Sequence, residues 1–552
     1  MKNHVRSGQL IPYNEIIDMS RLITQYYTLS PDPSNSAHNV VFGTSGHRGS
    51  SQKYNFNEAH ILAISQSIAQ VRAQQGITGP CYIGKDTHIL SEPAFISVLE
   101  VLTANFVDVI IQTNNGYTPT PVISHAITQY NKNHHNNCSK KADGIIITSS
   151  HNPPEYGGIK YNSTHGGPAS TNITRAIERI ANKFLINNLQ NVHRMTLNSA
   201  WKSGYIHIQD FIPSYVKKLS TIIDMNAIKT SGLKLGVHPL SGSSIDYWQN
   251  IAQDYQLDLH LISEKIDKTF SFIHLDYDGC IRIDCSSEFA MAGVLQSYGN
   301  FDLLLVNDPD CDRHGIITSL GLIQPNHYLA IAINYLFKNR PLWRNHLLSI
   351  GKTYVSSTMI NHVAQNLNRQ LLEVPVGFKW FAQGLFNSCF GFVGEESAGA
   401  SFLDFYCSPW STDKDGFIMC LLAAEIIAIS DTSLQKYYDQ LIQNFSISSY
   451  NRIQLPINYI QKSLISNTLF HQINMTELAN DPIIKILNVV SSNNQIFMDG
   501  VKIMTHNGWA ACRVSGTEPV YKIYCESFLN VSHRKQIEQE IISIIDAIIK
   551  TS

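Results

Sequence analysis

The sequence predicts an α/β fold of three βα-rich units followed by an α+β tail domain. Three observations lead there: the length of 552 residues, a helix and strand alternation that recurs through residue 429, and a change of pattern beyond Ser448. A chain this long exceeds what one hydrophobic core serves, so three or four domains are expected. Hydrophobic residues make up 43% and charged ones 15%, a globular balance. The formal charge of −2 gives no global attraction for nucleic acid or an anionic membrane surface, so any anion site must be local.

In the first unit, Ile61, Ile64, Ile68 and Val71 recur at helical spacing over 58–71, and Gly76 closes the helix before a strand at 81–84. Helices at 93–105 and 121–130 then alternate with strands at 107–112 and 144–148, the pattern of a parallel or mixed sheet covered by helices. The polar run 131–141 contains His134, His135 and Cys138 without regular ligand spacing and reads as a solvated loop. A strand at 233–237 and a helix at 244–252 open the second unit, and the compact apolar run 301–306 is its buried strand. Helices at 326–337 and 416–429 with strands at 348–355, 371–374 and 391–394 make the third. The tail has strands at 501–505, 509–514 and 521–526, then a helix presenting Ile537, Ile541, Ile544 and Ile548 on one face. The boundaries so drawn are 1–205, 206–323, 324–446 and 447–552.

Met1 to Leu22 mixes Arg6, Glu15, Asp18 and Arg21 without an apolar segment, unlike a signal peptide. The longest apolar stretch, 417–429, is shorter than a membrane span and carries Glu425, which suits a buried helix. Ten cysteines without a CxxC pair signal neither a disulfide framework nor a thiolate zinc site. A soluble, cytoplasmic protein with no membrane or nucleic-acid partner is expected.

Five stretches carry chemistry. Thr148-Ser149-Ser150-His151-Asn152-Pro153-Pro154 leaves a strand, where open α/β sheets place ligands. A serine-hydrolase reading lacks the G-x-S-x-G elbow, and the adjacency of His151 does not make a triad. Phosphoryl transfer to serine needs in-line access and nearby positive charge, for which Lys160 and Arg48 are candidates. In Asn307-Asp308-Pro309-Asp310-Cys311-Asp312-Arg313, three carboxylates alternate after the buried strand, and extended backbone would turn them the same way. Hard oxygen ligands of this kind suit Mg²⁺, whereas Arg313 and Ser319 occupy the Gly and Glu positions of an EF-hand. Taken alone the loop is equally compatible with a solvated turn. Gly394-Glu395-Glu396-Ser397 offers groups for sugar hydroxyls, Val376-Gly377-Phe378-Lys379-Trp380 a cation beside an aromatic surface, and Arg513-Val514-Ser515-Gly516-Thr517 a phosphate cradle; taken alone the three read as a helix-capping acidic loop, an exposed lysine and a strand-connecting turn.

With Phe42-Gly43-Thr44-Ser45-Gly46-His47-Arg48-Gly49, these loops occur in the order found in the alpha-D-phosphohexomutase superfamily, and the chain resembles its bacterial-type phosphoglucomutases over nearly its whole length. The resemblance implies four domains around one cleft. It implies that Ser150 is the phosphorylated serine, and that one of its phosphate oxygens joins Asp308, Asp310 and Asp312 around Mg²⁺. Arg48, His151 and Lys160 would support phosphoryl transfer, with Lys160 a candidate proton shuttle. Arg313, Gly377 and Lys379 would line the substrate site, Glu395 and Ser397 would hold sugar hydroxyls, and Lys414, in Thr412-Asp413-Lys414-Asp415-Gly416, is a further candidate. Arg513, Ser515, Gly516 and Thr517 would grip the non-transferring phosphate. The implied reaction interconverts glucose 1-phosphate and glucose 6-phosphate through glucose 1,6-bisphosphate, in a monomer or homodimer. A phosphomannomutase, a phosphoglucosamine mutase, a Mg²⁺-dependent phosphatase and a non-catalytic phosphosugar-binding scaffold are the alternatives. His238 and Val514 stand where relatives carry an acidic residue and a proline, and Gly399 where phosphomannomutase-type relatives can carry a histidine.

Overall fold

The computed structural model describes residues 4–134, 140–443, 448–458, 461, 475–489, 497–515 and 520–550. The first sheet has seven strands in the order Phe42–Gly43, Gly46–Ser50, Tyr156–Asn162, Asp143–Ile147, Cys81–Lys85, Val109–Gln112 and Ile206–Gln209. The last four run parallel, and Tyr156–Asn162 turns back antiparallel to Asp143–Ile147. Ile206–Gln209 is therefore an edge strand of this sheet, one element past the boundary drawn at 205. Its alternating polar residues gave no sign of which sheet it joins.

The second sheet centres on Leu303–Val306, parallel to Leu235–His238 and antiparallel to Gly315–Thr318. All four residues of Leu303–Val306 are buried, as a run of apolar side chains covered on both faces requires. The third sheet runs Leu371–Val374, Ser349–Thr353, Phe390–Glu395 and Gly399–Phe402. These three units share one continuous core in which the helix Gly416–Ser430 is buried from Gly416 through Ile426. Asp415 caps that helix by accepting from the Phe417 and Ile418 N–H groups. Glu425 within it is fully buried, and its carboxylate accepts from Arg340 (2.6 and 3.0 Å) and from Tyr335 (2.8 Å). Among the described residues no single helix is long and apolar enough to cross a membrane.

The tail is a separate layer: five antiparallel strands, Ser449–Pro456, Val520–Ser527, Gly508–Val514, Phe497–Met504 and Lys485–Val489, under the helix Val531–Lys550. Ile537, Ile541, Ile545 and Ile548 are its buried apolar positions; Ile544 is half-buried, because four-residue steps from Ile537 land on Ile545. The tail has its own core and meets the third unit through a small cluster of Tyr354, Val355, Trp509, Ala511 and Tyr524. Two charged groups pin that seam. Glu526 accepts from Ser357 Oγ (2.5 Å), the Thr358 N–H (2.8 Å) and Trp509 Nε1 (2.7 Å), while Lys502 donates to Tyr354 O (2.7 Å).

Candidate active site

Ser150 follows the strand Asp143–Ile147, is almost fully buried, and takes a left-handed conformation with φ of +58°. For a residue with a Cβ this costs about 1–3 kcal/mol, so neighbouring bonds must hold it. Its N–H donates to Thr148 Oγ1 (2.7 Å), its Oγ donates to Asp308 Oδ2 (3.0 Å), and His151 Nδ1 lies 3.3 Å from that oxygen. Gly158 permits the close approach of the next strand: a Cβ there would stand 2.1 Å from Thr148 O. Burial and the cations Arg313 and Arg48 hold His151 well below the usual imidazole range, so it is neutral.

The backbone of 307–314 is a turn, contrary to the extended run expected from alternating aspartates. The Cys311 N–H closes on Asp308 O (2.8 Å), and Cys311 itself is left-handed with φ of +55°. Asn307 pins the loop, accepting from Trp248 Nε1 (2.9 Å) and donating to Arg313 O (2.9 Å). The turn still gathers the three carboxylates, with one oxygen of each within 4.8 Å of the others and all three side chains buried. Burial raises the Asp308 pKa well above the carboxylate range, and Asp310 and Asp312 beside it add to the effect. Asp310 Oδ1 and Asp312 Oδ1 are buried with no hydrogen-bond partner. Converging oxygen donors with orphaned lone pairs fit a hard divalent cation.

Lys160 Nζ donates to Asp310 Oδ2 (2.5 Å) and Asp312 Oδ2 (2.9 Å). Its burial disfavours the ammonium, but the two aspartates outweigh that and raise its pKa, so it is protonated in this arrangement. Lys414 Nζ lies 3.2 Å from Asp312 Oδ2, which places it at the centre of the site. The Arg313 N–H donates to Asp308 Oδ1 (3.0 Å), and Arg48 Nη2 donates to Ser45 Oγ (2.8 Å). Across the space, Glu395 accepts from the Gly377 N–H (2.9 Å) and is raised in pKa by burial.

One solvent-open cleft of about 910 Å³ has Arg48, Ser150, His151, Arg313, Glu395, Ser397, Lys414, Arg513 and Ser515 on its walls, whereas Asp308, Asp310 and Asp312 are buried and reach it through Ser150, and Lys160 and Gly377 do not line it. Lys379 instead lines a smaller adjoining pocket together with Lys160 and Thr44. Gly516 and Thr517 lie outside the described residues.

Four segments of the chain match phosphoglucomutase/phosphomannomutase domains: alpha/beta/alpha domain I at 39–185, domain II at 213–321, domain III at 324–445 and the C-terminal domain at 472–544. A phosphoglucomutase of Komagataeibacter xylinus is 48% identical over 98% of this chain and 97% of its own. The chain belongs to the phosphoglucomutase/phosphomannomutase family. A phosphoglucomutase/phosphomannomutase of Thermococcus kodakarensis is 24% identical over 90% of this chain and 97% of its own. The crystal structure of Paramecium parafusin, a phosphoglucomutase, in its open form shares the fold with a TM-score of 0.70 at 19% identity, covering 95% of this chain and 96% of that one.

Within this cleft the sequence reading missed a cationic wall. Arg282, Arg452 and Lys522 also line the cleft, and Asp284 stands between two arginines, 3.4 Å from Arg313 Nη1 and 3.6 Å from Arg452 Nη2. Arg452 is on the tail strand Ser449–Pro456, so Asp284 links the tail to the aspartate loop. No local spacing marks these residues, which come together only in the fold. Burial opposes ionisation of Asp284, yet Arg313 and Arg452 bring its pKa down to about 2. A folded pKa below the unfolded one means stability that is present above pH ~4 and lost as pH falls toward 2, on the order of 2 kcal/mol. Asp284→Asn is expected to flatten that acid limb, read as urea midpoints between those pH values.

Gly399 makes room for one of the lysines of the site. A Cβ there would meet Lys414 Cδ at 2.1 Å, so glycine gives the lysine its path to Asp312. Gly399→Ala and Lys414→Ala are each expected to lower kcat/KM by about tenfold or more. The double variant should lose little beyond either one, a non-additivity that a double-mutant cycle measures.

Proposed function

We propose that the protein interconverts glucose 1-phosphate and glucose 6-phosphate, with Ser150 carrying the phosphoryl group between half-reactions. The observation that carries this reading is the meeting of Ser150 Oγ with Asp308 (3.0 Å) at the floor of a cleft whose walls hold arginines and lysines from all four units. Asp308, Asp310 and Asp312, with a phosphoryl oxygen on Ser150, would hold Mg²⁺, which when bound neutralises charge on the phosphoryl group.

Phosphoserine donates to the free C6 hydroxyl of glucose 1-phosphate, giving glucose 1,6-bisphosphate. The bisphosphate turns over in the cleft and returns its C1 phosphoryl group to Ser150. Arg48 supplies fixed positive charge beside the serine, and neutral His151 lies next to its oxygen. Lys160, protonated as it stands, is the candidate proton shuttle: it gives the serine oxygen a proton as the phosphoryl group leaves and takes back the proton that the C6 hydroxyl loses. Glu395 and Ser397 take sugar hydroxyls, with Arg313, Gly377 and Lys379 around them. Arg513, Ser515, Gly516 and Thr517 take the phosphate that is not being transferred. That cradle belongs to the tail, and closure of the tail over the intermediate would exclude water. Nine free cysteines among the described residues suit a reducing compartment such as the cytoplasm.

Purified protein supplied with Mg²⁺ and glucose, mannose or glucosamine 1-phosphate tests the reading. Fastest formation of glucose 6-phosphate, with little inorganic phosphate, is the expected result. Faster turnover of another sugar phosphate would move the assignment to that mutase, and dominant phosphate release would make the protein a phosphatase.

A further inference from the structure

Asp86 and His88 are buried, take no part in the chemistry above and do not line the cleft, yet they touch the Ser150 loop on both sides. They follow the strand Cys81–Lys85, the parallel neighbour of the strand that leads into Ser150, and the Asp86 N–H extends that pairing by donating to Ile147 O (3.0 Å). The Asp86 carboxylate accepts four hydrogen bonds. Oδ1 takes the His88 N–H (3.0 Å) and Ser91 Oγ (2.5 Å); Oδ2 takes Thr148 Oγ1 (2.5 Å) and His88 Nδ1 (2.7 Å). Thr148 Oγ1 is the same oxygen that receives the Ser150 N–H.

On the other side, His88 Nε2 lies 3.0 Å from Asn152 O, and its ring packs against Phe270 with centroids 4.9 Å apart. A carboxylate oxygen and a carbonyl oxygen have no hydrogen to give. The ring therefore makes both bonds only with a proton on each nitrogen. Burial opposes that charge, and Asp86 beside it outweighs burial, so the imidazole pKa is raised and the Asp86 pKa lowered.

We infer that Asp86 and His88 act as a positioning pair for the phosphoryl-carrying serine, holding Thr148 on one side and Asn152 on the other so that Ser150 keeps its left-handed turn with Oγ aimed at Asp308. The inference rests on the reading of Ser150 as the phosphoryl carrier. Because neither side chain lines the cleft, their loss acts on transfer and leaves sugar binding alone. Displacement of a reacting atom by a fraction of its diameter is enough to slow transfer by orders of magnitude.

The test uses the full-length protein, with His88→Gln, which cannot donate to both oxygens, and His88→Arg, a permanent cation with donors in both directions. His88→Gln is expected to lower kcat about 30-fold or more, with KM for glucose 1-phosphate within about threefold of the parent. Phosphorylation of Ser150 by glucose 1,6-bisphosphate, followed by intact mass, should slow in step, and His88→Arg should recover most of the loss. In parent protein labelled with ¹⁵N-histidine, one imidazole should keep both nitrogens protonated at pH about 8, above the ordinary imidazole range, and His88→Gln should remove that signal. A His88→Gln kcat within about threefold of the parent, a loss that His88→Arg leaves unrescued, or the absence of a doubly protonated ring in the parent would each overturn the inference. The nitrogen spectrum needs no turnover and stands even if the His88→Gln protein fails to fold. Parent protein that does not isomerise glucose 1-phosphate would sink the functional reading, a result distinct from all of these.

Discussion

Ser150→Ala is expected to abolish isomerisation, a fall of about 10⁴-fold or more, because Ser150 Oγ is the hydroxyl that both meets Asp308 and opens on the cleft. The fold should survive. The substitution removes one donor to Asp308 and leaves the backbone bond to Thr148 Oγ1 in place, so a stability loss of about 1 kcal/mol is expected. Thermal unfolding beside a glucose 1-phosphate assay checks both halves. A folded variant that retained a tenth of the parent rate would place the carrier elsewhere.

The second large effect concerns the aspartates. Three buried carboxylates whose oxygens lie within 4.8 Å of one another repel, and Lys160 and Lys414 reach only Asp310 and Asp312. Asp308→Asn keeps the side-chain shape and removes the charge. It is expected to cost about 10³-fold or more in kcat. The parent protein, stripped by a chelator, should gain thermal stability when Mg²⁺ is returned, about 2.7 kcal/mol at a hundred times the dissociation constant. The Asp308→Asn protein should show little of that gain. Equal stabilisation of both proteins by Mg²⁺ would mean that the cation binds elsewhere.

The parts of the site that sequence could reveal are those written into short stretches of chain. Ser150 follows a strand-like run, and Asp308, Asp310 and Asp312 follow four apolar residues that read as a buried strand. The conformations themselves were less legible. Cys311 and Ser150 are both left-handed without being glycine, and such turns are imposed by distant partners such as Trp248 through Asn307 and Asp308 through its carboxylate. The helices Met19–Thr28 and Thr171–Ile186 and the strand Ser449–Pro456 also went unread. The burial of Ser449–Pro456 is mostly partial, so its side chains show no clean alternation, and with it Arg452 was missed. Lys414 carried only a weak motif, yet the fold sends it past Gly399 to Asp312. Contacts across 150 residues or more, such as Lys160 to Asp310 and Arg452 to Asp284, leave no mark on local spacing.

The most direct measurement loads the protein with glucose 1,6-bisphosphate labelled in its phosphoryl groups, maps the label by peptide mass, and then adds unlabelled glucose 1-phosphate. One phosphoryl group on the peptide containing Ser150, moving to glucose phosphates within the time of turnover, is the expected result. Label on another residue, or label on Ser150 that leaves only as inorganic phosphate, would contradict it.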